Sequence, residues 1–128
     1  MTIQQEIVFK CKAQLNFDAL TQVEQFSSLT GSTAEMDMEP GGTFSCFDGM
    51  ISGMNIESIS GKRLVQAWRV GSWDPGVYSL VKFELEEINA LETKLIFDHT
   101  GFPEEHRVHL EQGWHDRYWD PIKKYLHA

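Results

Sequence analysis

With 128 residues, 41% of them hydrophobic, the chain is long enough to bury one core and too short for two ordinary domains, since a chain of this size buries about two-thirds of its unfolded surface. Nineteen acids against eleven bases give a net charge of −8, a sign that repels phosphate, so neither nucleic acid nor an anionic membrane is expected as a partner. No apolar run approaches the ~18 residues of a membrane span and no basic-then-apolar leader opens the chain, because Lys10 interrupts Ile7-Val8-Phe9 at once; a cytoplasmic protein folded as one domain over residues 1–128 is expected.

Ile3 to Ala13 is β-rich enough for a first strand, although its alternation falters at Lys10, Cys11 and Lys12. Two short helical pieces follow, Phe17-Asp18-Ala19-Leu20 and Val23 to Leu29, with Thr21 placed to cap the second and Gly31 to end it. From Ser32 the period changes to two. Ala34, Met36 and Met38 alternate with Glu35, Asp37 and Glu39, as in a half-buried strand. Pro40-Gly41-Gly42 breaks it, and Thr43 to Phe47 then runs into Asp48-Gly49, a two-residue hairpin signal, with Met50 to Ile59 returning.

Ser60-Gly61 turns the chain into the strand Arg63 to Val70, and Asp74-Pro75-Gly76 reverses it. Val77, Ser79, Val81, Phe83 and Leu85 then share one face against Lys82, Glu84 and Glu86, and after Asn89 the set Leu91, Thr93, Leu95, Phe97 and His99 does the same against Glu92, Lys94 and Asp98. Turns at this regular spacing imply an antiparallel meander.

Thr100-Gly101-Phe102-Pro103 opens the only long helical segment, which carries Leu110, Trp114, Tyr118, Ile122 and Tyr125. From Glu104 to Leu126 it would span about 35 Å, matching strands of about ten residues. Pro121 conflicts with a straight helix and predicts a kink, or an Asp120 N-cap followed by proline at the first position of a restarted helix. The fold class is α+β: a curved antiparallel sheet of about seven strands wrapped around a long C-terminal helix, with two short helices after the first strand.

The ordered landmarks Gly41-Gly42-Thr43-Phe44, Asp48-Gly49-Met50-Ile51-Ser52-Gly53, Trp68-Arg69, Ser72-Trp73-Asp74-Pro75-Gly76, Thr100-Gly101-Phe102-Pro103, Gly113-Trp114, Tyr118-Trp119 and Ile122-Lys123 resemble the family of the activator of heat-shock protein 90 ATPase. The similarity runs from about Leu15 to Leu126, and it implies the helix-grip or START-like fold of the SRPBCC superfamily. In the eukaryotic co-chaperones it corresponds only to the C-terminal domain. Their separate N-terminal domain has no counterpart in these residues, so the resemblance does not by itself imply ATPase activation. What it does imply is a chaperone partner in stress response, or a cavity protein like other members of the superfamily.

Catalytic chemistry finds little support. Asp98, Asp116 and Asp120 are scattered, Asp98 has outward parity, no serine lies in a GxSxG elbow, and neither cysteine has a histidine near it in sequence. Cys11 and Cys46 lack CxxC spacing and are expected as buried free thiols. His99, His106, His109 and His115, with Glu105 four residues before His109, match no HExxH-type metal signature; the helical ones are expected to be solvated, while His99 has inward parity and is expected as a satisfied core histidine. No cofactor or metal is expected, nor an enzyme. A straight helix cannot touch a twisted sheet along its whole length, so an apolar hollow can remain between them. Met36, Met38, Phe44, Val81, Phe83, Leu95, Phe97, His99, Trp114 and Tyr118 are the candidate residues for binding a small hydrophobic molecule there. The rival use is a protein-interaction domain that offers its acidic surface to a chaperone.

Overall fold

The computed structural model describes residues 2–127. Seven strands form one sheet in the order β1-β7-β6-β5-β4-β3-β2, every neighbouring pair antiparallel. They are β1 (Thr2–Phe9), β2 (Glu35–Met36), β3 (Thr43–Cys46), β4 (Ile51–Ile59), β5 (Arg63–Val70), β6 (Ser79–Asn89) and β7 (Glu92–Thr100). From β2 to β7 the chain meanders, and β1 closes the far edge by pairing with β7, Gln5 opposite Phe97. Helices α1 (Ala13–Thr21) and α2 (Val23–Thr30) fill the connection from β1 to β2.

The inner face is built from alternate residues. Val81 and Phe83 of β6 lie opposite His99 and Phe97 of β7, while Leu64 and Trp68 of β5 continue the same layer, and all are buried. Against that face lies the C-terminal rod: a 3₁₀ turn at Glu104–His106, helix α3 (Arg107–Trp114), a π turn at His115–Trp119 and helix α4 (Asp120–Leu126). In the π turn the Asp120 N–H bonds His115 O, five residues back.

Several sequence expectations are corrected. The first strand ends at Phe9, because Lys10 to Lys12 leave the sheet and Ala13 already begins α1. Thr21 does not cap α2. Its hydroxyl donates to Phe17 O within α1, four residues back, and Gln22 sits at the cap without a side-chain bond. Gly31 ends α2 as expected, in the left-handed region at φ 71°. Ala34, Met36 and Met38 are half-buried with the anticipated alternation, yet only Glu35–Met36 pairs as strand. Leu91 is 73% exposed, since it sits in the β6–β7 turn where strand parity has not yet begun. Pro121 makes no break: Trp119 and Asp120 both hold helical dihedrals, and the π turn immediately before it shifts the hydrogen-bond register. That extra residue brings Trp119 inward beside Tyr118 and leaves Tyr125 exposed.

Candidate functional site

Between rod and sheet the aromatic side chains interdigitate. Trp114 lies with its ring centroid 4.3 Å from Phe97, 4.3 Å from Tyr118 and 5.1 Å from Trp68. Trp119 packs 5.2 Å from Phe97, and Phe83 5.3 Å from Phe97. Gln5 clamps the rod to β1: its Oε1 accepts from Trp119 Nε1 at 2.6 Å and its Nε2 donates to Glu111 O at 3.1 Å.

At the centre of this layer His99 is fully buried in a chain of hydrogen bonds. Trp114 Nε1 donates to His99 Nδ1 at 3.0 Å. An indole N–H can only donate, so Nδ1 carries the lone pair and the proton sits on Nε2. Nε2 therefore donates to Ser79 Oγ at 2.8 Å, and the Ser79 hydroxyl donates onward to Trp68 O at 2.8 Å. Burial drives the imidazole pKa down from 6.5 to about 3. A serine beside a histidine invites a nucleophile reading, but here the hydroxyl proton is committed to a backbone carbonyl and the imidazole accepts from an indole instead of donating to a carboxylate. The group is a satisfied core histidine.

Both thiols are free and buried, and burial pushes Cys46 up to about 12, which leaves it protonated and unreactive. Its sulfur lies 3.8 Å from the Tyr118 hydroxyl, whose pKa burial also raises. His106, His109 and His115 are exposed, and among the described residues no three His, Cys, Asp or Glu side chains gather as a metal site.

The ten candidate cavity residues divide by place. Met36, Phe44, Phe83 and Tyr118 border a space of about 10 Å³ beneath α1 and α2, where Leu20 and Phe26 face it, room for no more than one water. Trp114 and Tyr118 instead border a larger hollow of about 90 Å³ that opens to solvent. Val81, Leu95, Phe97 and His99 are core and line neither, and Met38 packs at the edge of the core, its sulfur 3.7 Å from Asn55 Nδ2. The hollow lies between the rod and the ends of β4 and β5. Ile51, Trp68 and Val70 form its sheet wall, Leu110, Gly113 and Trp114 its helix wall, and Met50, His109 and Arg117 its exposed mouth.

The sequence assigns no role to Trp68 and Arg69, names Met50 only as a landmark and His109 only as a solvated histidine, and does not single out Arg117. Trp68 shares parity with Leu64 and Gln66, and that alternation was the available signal for its burial. Arg69 is a loop clamp, donating to Trp73 O at 2.7 Å, Asp74 O at 3.1 Å and Val77 O at 3.2 Å. The turn above the hollow is strained. Phe47, Asp48 and Gly49 all have positive φ, at 54°, 58° and 87°, and Asp48 Oδ1 braces the turn by accepting from the Thr33 N–H at 2.9 Å and hydroxyl at 2.8 Å.

A curved antiparallel sheet gripping one C-terminal rod defines the helix-grip, START-like class of α+β protein. Within it, the family model for Activator of Hsp90 ATPase homolog 1-like protein matches residues 10–127, and the chain belongs to that family. It is 29% identical over 122 residues to an activator of 90 kDa heat shock protein ATPase homolog of Dictyostelium discoideum, covering 95% of this chain and 32% of that protein. To the human activator homolog 1 it is 28% identical over 108 residues, covering 84% and 32%. The chain thus spans about a third of these curated relatives' length. Among solved structures it resembles an HSP90 activator from Plasmodium falciparum with TM-score 0.92 and 26% identity, covering 98% of this chain and 96% of that one. The Aha1 dimer from Colwellia psychrerythraea, TM-score 0.83 at 18% identity, shares the fold.

Proposed function

We propose that this protein is a non-enzymatic interaction domain, folded as one unit and acting in the cytoplasm, that binds a chaperone of the 90 kDa heat-shock class. The observation that carries the reading is the 0.92 likeness to an HSP90 activator over 96% of that chain, a protein built on this same grip. The packing beneath α1 and α2 supports it as well, because the space left there, about 10 Å³, holds no ligand. The surface has a suitable feature. The β6–β7 tip exposes Ile88 and Leu91 among Glu86, Glu87 and Glu92, an apolar knob in an acidic rim that suits a basic, partly apolar patch. Isothermal titration of the purified protein into the organism's own 90 kDa chaperone, with ATP turnover followed in parallel, tests this. Saturable binding that Leu91→Asp weakens at least tenfold is expected; no heat and no change in turnover would remove the reading.

A second reading is favoured by the hollow at the mouth of the grip. Its apolar walls and indole surfaces suit a small hydrophobic molecule, placed toward the ends of β4 and β5 and touching Trp114 and Tyr118. Organic extraction of freshly purified protein followed by mass spectrometry would reveal a co-purifying molecule.

A further inference from the structure

We propose that the hollow between the rod and β4–β5 is a binding site for a small apolar monoanion, a short-chain carboxylate whose tail enters the hollow and whose carboxylate sits on Arg117. The inference rests on the second reading above and adds the chemical class of the ligand. Its first support is a glycine. Gly113 lies inside α3, where glycine costs about 1 kcal/mol relative to alanine, and no close packing compensates: a Cβ built there meets nothing within 4 Å. What the missing side chain achieves is space, because Gly113 borders the hollow.

Arg117 supplies the charge. His109, Gly113 and Arg117 are spaced four residues apart on the rod, and all three border the hollow, so the open position is flanked by two basic side chains. In a chain of net charge −8, a guanidinium would be expected to find a carboxylate, yet Arg117 joins none of the ion pairs among the described residues. It lies instead 5.6 Å over the Phe47 ring, with Nη1 3.6 Å from Met50 Sδ, both on the braced left-handed turn. Its planar fork is thereby held at the mouth by Nη1, while Nε and Nη2 make no hydrogen bond among the described residues and present the edge that pairs with a carboxylate in bidentate fashion.

The size sets the tail. About 90 Å³ is less than the ~150 Å³ of an engineered cavity that holds benzene and far below the ~300 Å³ at which drug-sized sites begin, so a fatty acyl chain of membrane-lipid length is excluded.

The test is an NMR titration with hexanoate and with hexanamide, its uncharged counterpart, observing the indole N–H signals of Trp68 and Trp114. Hexanoate is expected to bind about tenfold more tightly than hexanamide, Arg117→Gln to abolish that preference, and Gly113→Leu to abolish binding of both. Because Gly113→Leu replaces a helical glycine and meets open space, its melting temperature should equal or exceed that of the parent, which separates a plugged site from an unfolded protein. Equal binding of the two probes would overturn the anion proposal while leaving the hollow a ligand site. Absence of binding by either probe would overturn both, as would unchanged binding in a folded Gly113→Leu protein.

Discussion

His99 is the residue whose sequence signal and structural role agree most closely. Its alternation with Leu95 and Phe97 pointed it inward, and the structure buries it between Trp114 Nε1 and Ser79 Oγ. Protonation would remove the Nδ1 lone pair that accepts from Trp114, and it would place a charge in the aromatic layer. The folded-state pKa lies near 3, below the 6.5 of a free imidazole, so between those values the unfolded chain binds the extra proton. The stability His99 provides is thus complete above pH 6.5 and drains away as the pH falls toward 3, by about 1.4 kcal/mol per pH unit within that window. Comparing urea unfolding of the parent and His99→Gln should give a difference that is flat above pH 7 and moves in the variant's favour below 6.5. A difference independent of pH down to 4.5 would refute a neutral, buried imidazole. The mouth of the hollow was far less legible: Met50 and Arg117 meet only because the β3–β4 turn and the rod converge in space, and nothing in either segment's periodicity records the other.

Elements with strict alternation read cleanly, and those governed by their ends did not. β6 and β7 were recovered face by face because every second residue from Ser79 to Phe83 and from Thr93 to His99 is buried. Leu91 continued that pattern on paper but belongs to the turn. Trp119 is named in the sequence only as a family landmark and not as a core residue, because a constant helical period places it off the stripe of Trp114 and Tyr118; the π turn adds the residue that brings it in. The pairing of β1 with β7 joins segments some ninety residues apart, a closure no local signal carries. The Asp48-Gly49 hairpin, by contrast, is a local device and was read correctly. Met50 N–H bonds Phe47 O across it at 3.1 Å, and both central residues take the positive φ of a type I′ turn. Gly49→Ala should therefore cost about 1–2 kcal/mol through the left-handed penalty on an L side chain, seen as a lower denaturant midpoint at unchanged m value. If the midpoint does not move, the turn holds no such strain.

At the scale of the whole molecule, charge separates the two ways this protein could meet a partner. The net charge of −8 reaches beyond its surface by about one Debye length, ~10 Å at 0.1 M salt, so a basic patch on a chaperone would be steered toward the acidic rim around Ile88 and Leu91 before contact. Steering acts on the encounter rate, and screening removes it without altering the apolar contact made afterwards. Stopped-flow association with the chaperone, measured from 50 to 300 mM sodium chloride, should show the on-rate falling by about tenfold or more while the off-rate changes little. Leu91→Asp should act in the opposite sense, raising the off-rate because it charges the apolar knob. Contact made chiefly through apolar surface elsewhere on the sheet would give an on-rate indifferent to salt, and the acidic rim would then have no part in recognition.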